Sequence, residues 1–110
     1  MKKLSFFLAS VLFAANIFAD DHYTTALELV NAAVKEGSSG NASNLVRYAS
    51  RALEKTQVDA VTAPSDIKLL LNNAALELQK AIDHGNLGHP GEATKYAKAA
   101  ALQIKIVSTK

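Results

Sequence analysis

Three histidines, His22, His84 and His89, carry most of the chemistry this 110-residue chain can offer. Two of them flank a glycine-rich turn, Ala81-Ile82-Asp83-His84-Gly85-Asn86-Leu87-Gly88-His89-Pro90. Neutral imidazole nitrogens bind divalent copper, nickel or zinc. A tight turn would bring His84, in the last turn of one helix, and His89, at the cap of the next, to the same end of a hairpin. The plainer alternative is that His84 answers the dipole of a helix C-terminus and His89 only caps the following helix. Asp83 or Glu92 could add an oxygen ligand, although Glu92 reads more simply as an acid in a first helical turn.

The third histidine matters through processing. Met1-Lys2-Lys3 is a positive start, Leu4 to Phe18 is a 15-residue apolar stretch broken by Ser5, Ser10 and Asn16, and Ala19 is a small residue before Asp20-Asp21. This is the anatomy of a signal peptide cleaved after Ala19, and the stretch is short of the roughly 20 residues a membrane-spanning helix needs. The mature chain would be residues 20–110, periplasmic or secreted, with no stable membrane insertion after cleavage. It would begin Asp20-Asp21-His22. A free amine, two deprotonated backbone amides and the His22 imidazole then form the four-nitrogen plane that Cu(II) and Ni(II) prefer. Cleavage one bond away removes that site and leaves Asp20 and Asp21 as first-turn acids or caps and His22 as a surface residue.

Other chemistries are poorly served. Removing Lys2 and Lys3 leaves ten basic residues against ten acidic ones, so there is no excess of positive charge to neutralise phosphates, and nucleic acid is not an expected partner. The absence of cysteine excludes disulfides, thiolate nucleophiles and haem attachment. Gly37-x-x-Gly40 and Gly85-x-x-Gly88 lack the lysine and preceding strand of a phosphate-binding loop. Serines and carboxylates are scattered, with no sign of a shared cleft. No enzyme and no organic cofactor are expected.

The elements that must position the histidines are helical. Tyr23, Leu27, Val30 and Val34 recur at 4-3-4 spacing; Leu45, Ala49, Ala52 and Thr56 repeat the pattern, with Tyr48 and Leu53 beside them. A third face runs Ile67, Leu71, Ala74, Leu78, Ala81 and Ile82, and a fourth Ala93, Ala97, Ala100, Ile104 and Val107. Gly37 and Gly85 are expected to end the first and third helices. Asn41 is expected to cap the second and Pro90 to open the fourth. The central connection is placed at Asp59 to Asp66, with Thr62 or Ser65 capping the third helix. Tyr48 and Tyr96 are expected to lay their rings on the core with the hydroxyls outward. Leu76, Leu87, Leu102 and Ile106 fall off the stripes and are candidates for an exposed apolar surface.

Shifting the first half by 48 residues puts Ala26, Ala33, Gly37, Gly40, Tyr48, Ala49 and Ala52 on Ala74, Ala81, Gly85, Gly88, Tyr96, Ala97 and Ala100, seven identities in 28 positions. These identities point to an internal duplication, with one copy over about 22–61 and the other over about 65–107. Neither αα-hairpin can hide its apolar face alone. The two together predict an all-α, up-and-down four-helix bundle over residues 20–110, preceded by the signal peptide at 1–19.

The stretch Ala81-x-x-His84-Gly85-x-x-Gly88-His89-x-x-x-Ala93-x-x-Tyr96-Ala97 resembles the repeat of the small metal-binding protein family, histidine-rich helical bundles exported to the bacterial periplasm. Together with the duplication and signal peptide, the resemblance covers essentially the whole mature chain. It implies a four-helix bundle that binds several kinds of divalent metal and serves in metal buffering or tolerance. Where the family's repeat places a histidine three residues after the conserved alanine, this chain has Tyr96 and Tyr48; its first loop has Glu36 and Asn41 in place of the histidines. Only His84 and His89 carry over. The rival reading is a non-catalytic structural or interaction bundle of the cell envelope in which metal binding is lost, with an envelope protein or a second copy of the chain as partner.

Overall fold

The computed structural model describes residues 23–110, and in that range the chain forms four helices: α1 (Thr24–Ser38), α2 (Ala42–Val61), α3 (Ser65–Asn86) and α4 (Pro90–Ser108). Each packs on its neighbours in the chain, and α1 closes the ring against α4. The result is an up-and-down bundle, as the two apolar hairpins require. Among the described residues no helix is long and apolar enough to cross a membrane.

The main core holds thirteen fully enclosed residues, and nine are alanines: Ala26, Ala33, Ala49, Ala52, Ala74, Ala81, Ala93, Ala97 and Ala100. Val30, Leu45, Leu78 and Ile104 supply its larger side chains. Helix separation depends on the side chains at the contact, and with alanine stripes on both, α2 and α4 touch even across the diagonal. The alternation of helix direction puts both glycine turns at one end. At the other, Ala60, Leu71 and Val107 form a smaller cluster against Tyr23, Ala63, Ile67 and Leu70. Asp59 is buried near that end and pairs with Lys55 at 3.4 Å, an i,i+4 contact.

The helix boundaries correct three readings of the sequence. The central connection is only Thr62-Ala63-Pro64; α2 runs through Asp59 and Ala60 because both are buried by tertiary packing, and Pro64 then bars Ala63 from continuing the helix. Neither Thr62 nor Ser65 caps α3; Pro64 occupies that position, without a side-chain cap bond, and its carbonyl accepts from Lys68 N–H at 2.7 Å. Gly37 and Gly85 lie inside helices that run on to Ser38 and Asn86. They are small because neighbouring helices press on them: a Cβ on Gly37 would collide with the Thr94 and Leu45 side chains, and one on Gly85 would come within 2.5 Å of a Val46 methyl. On the first face, Ala26, Val30, Ala33 and Gly37 form the buried line, with Leu27 and Val34 half-buried beside it. Asn41 and Pro90 stand where expected, Asn41 accepting from Asn44 N–H at 3.0 Å.

Candidate metal site

The turn after α3 closes in a way that brings two side chains near each other. Gly88 is left-handed (φ 78°); its N–H donates to Gly85 O at 3.0 Å, while His89 N–H reaches back to His84 O at 2.9 Å. This pair of bonds, one spanning four residues and one spanning six, is the Schellman helix ending, in which a contact between the residue three places inside the end and the one two places beyond it is common. Those two positions are His84 and His89. Their ring centres stand 6.0 Å apart with the planes tilted by 36°. The sequence therefore places both imidazoles correctly at one end of the bundle, and the reason is this loop geometry.

Two neighbours of the pair were not apparent from spacing alone. Tyr96, two turns into α4, stacks on His84 with ring centres 5.3 Å apart and planes within 16°. Lys80, one turn before His84, holds its ammonium 5.5 Å from the Tyr96 ring centre, an arrangement favoured by the ring's negative face. Tyr96 and its counterpart Tyr48 are both half-buried against the core, as expected. The sequence signal for the stack lies in the antiparallel hairpin, which sets the last turn of α3 beside the opening turns of α4.

His84 is half-buried and His89 exposed. His84 Nδ1 is enclosed and has no hydrogen-bond partner, and His89 makes no side-chain cap bond to α4. Buried polar atoms are seldom left this way, because the unmade bond is not compensated by water. A divalent cation fits this pair in chemistry. A metal about 2.0–2.1 Å from each coordinating nitrogen sets two imidazole ring centres about 5.2 Å apart at a tetrahedral angle and about 6.4 Å apart at most; from the observed 6.0 Å the exposed His89 ring has to close in on His84 for the two to share a tetrahedral ion.

The proposed oxygen ligands do not join them. Asp83 accepts from Gln79 at 3.2 Å, and Glu92 pairs with Lys95 at 3.9 Å. Among the described residues, no group of three or more histidine, cysteine, aspartate or glutamate side chains surrounds a common point. His22, Asp20 and Asp21, with the whole expected signal peptide, lie outside the described residues.

The model of the family described as small metal-binding protein matches residues 1–106. No curated protein and no solved structure matches the chain.

Proposed function

We propose a function from one premise, that this chain belongs to the small metal-binding protein family: it is a non-catalytic bundle, exported to the bacterial periplasm, that holds a divalent copper, nickel or zinc ion between His84 and His89 and serves in metal buffering or tolerance. The observation that supports this reading is the imidazole pair at 6.0 Å with an unpartnered buried nitrogen on His84. With few histidines, the chain holds few ions. If export removes residues 1–19, Asp20-Asp21-His22 supplies a separate square-planar site for copper or nickel that needs no folded pocket.

Titration calorimetry with Cu(II), on protein whose first residue has been fixed by mass spectrometry, separates the two sites. Replacing both loop residues, His84→Ala with His89→Ala, removes the loop component and leaves any amino-terminal one. Binding that is unchanged in this variant rules out the loop site.

A second reading, an interaction bundle of the envelope, draws on the apolar side chains left in solvent. Leu76 and Leu102 are more than half exposed, and Ile106 is also exposed. Chemical cross-linking in cell envelopes, followed by identification of a single partner, would support it.

A further inference from the structure

Within the described residues one chain supplies two nitrogen ligands at the loop, whereas zinc takes four ligands in a structural site, almost always as a tetrahedron. The same loop carries an apolar residue at its apex: Leu87, between the two histidines, is 67% exposed. Its counterpart 48 residues earlier is Ser39. The loop lies at the end of the bundle and not on a flank, so a second molecule can approach it along the bundle axis. Around it Asn86, Gly88 and the other turn's Ser38, Ser39 and Gly40 are exposed and small or uncharged.

We propose that a divalent cation joins two copies of this chain end to end, each giving His84 and His89, with the two Leu87 side chains buried against each other beside the ion. This rests on the reading that the histidine pair binds metal. The contact is isologous, the same loop meeting itself across a two-fold axis, so that it closes at a dimer and does not propagate into a filament. Four imidazoles complete the tetrahedron that two leave open. Two loop tips present little surface compared with a stable protein–protein interface of about 800 Å² per partner, so the metal-free chain is a monomer and the dimer depends on the ion.

Zinc chloride is the discriminating probe, because it favours tetrahedral nitrogen over the square plane an amino-terminal Asp20-Asp21-His22 site would offer. Light scattering on the eluting protein, paired with calorimetry, should show the mass doubling at one zinc per two chains and returning to the monomer with a chelator. Each single variant, His84→Ala or His89→Ala, should stay monomeric, with helix content by circular dichroism unchanged. Leu87→Ser should keep the stoichiometry of one zinc per two chains while weakening the zinc-dependent dimer about tenfold, since it removes apolar burial and no ligand. One zinc per chain with unchanged mass overturns the dimer and leaves the site standing. A dimer that forms without metal overturns the dependence on the ion. Zinc binding that is absent, or indifferent to both histidine changes, overturns the zinc-bridged dimer, and the underlying reading falls with it only if Cu(II) binding is also unchanged in the His84→Ala, His89→Ala double variant.

Discussion

The two glycine turns of this bundle share one backbone and differ in what their side chains do. In the first, Gly40 is left-handed at φ 84°, its N–H donates to Gly37 O at 2.9 Å, and Asn41 N–H donates to Glu36 O at 2.9 Å; the second repeats each feature with Gly88, Gly85, His89 and His84. Even the packing is reciprocal, since Gly37 of α1 is pressed by Thr94 of α4 and Gly85 of α3 by Val46 of α2, positions that correspond under the 48-residue shift. The side chains at the two contact positions then diverge. In the first turn Asn41 caps α2, and the Glu36 carboxylate accepts from the Asn44 side-chain Nδ2 at 3.2 Å. In the second turn His89 caps nothing and His84 Nδ1 has no partner. The glycine pattern builds the hairpin, and the residues it brings together are structural in the first copy and, in the function proposed above, ligating in the second.

The largest effect should come from exchanging those residues. Glu36→His with Asn41→His gives the first turn the second turn's imidazole pair, and calorimetry with zinc should then show twice the metal capacity. The reverse exchange, His84→Glu with His89→Asn, should abolish the loop component while circular dichroism shows an intact bundle. If the grafted turn binds nothing, the shared backbone is insufficient, and the Tyr96 stack and its surroundings are needed to orient His84.

A smaller effect should appear in stability. Gly37→Ala forces a methyl group into both Thr94 and Leu45, and the Thr94 hydroxyl is held by a 2.6 Å bond to Pro90 O. Overpacking of this kind costs about 1–3 kcal/mol, partly offset by about 1 kcal/mol of improved helix propensity. Gly85→Ala meets one methyl of Val46 closely and Leu45 only at 3.4 Å, so it should be the milder of the two. Urea denaturation that ranks them the other way would show that the Val46 side of the interface is the stiffer one.

Much of this was readable from the sequence because it is local. The faces of α2, α3 and α4, the Asn41 cap, the Pro90 start and the approach of His84 to His89 depend on residues a few positions apart, whereas the α1 stripe was read one position off its buried line of Ala26, Val30, Ala33 and Gly37. What was missed depends on partners far along the chain. The first glycine of each Gly-x-x-Gly reads like a helix stop, but the left-handed residue is the second. The first is required by a helix whose approach no local pattern reveals. Asp59 and Ala60 resemble a loop next to Thr62 and Pro64, yet burial keeps them helical. The Tyr96 stack on His84 likewise depends on the register between α3 and α4, which spacing within either helix leaves open.

The smallest predicted difference is also the most direct comparison of the two turns. Asn41 and His89 hold the same place, the cap of the second helix of each hairpin. Only Asn41 makes the cap bond. Losing such a bond costs about 1 kcal/mol, which in a domain of this size lowers the midpoint of thermal unfolding by about 4–8 °C. Asn41→Ala should show that loss. His89→Ala, measured with a chelator present, should stay within about 0.5 kcal/mol of the parent, as surface changes without a structural role do. Equal losses at the two positions would mean that His89 supports the fold directly, and the imidazole pair would then lose its claim to be a ligand set available to metal.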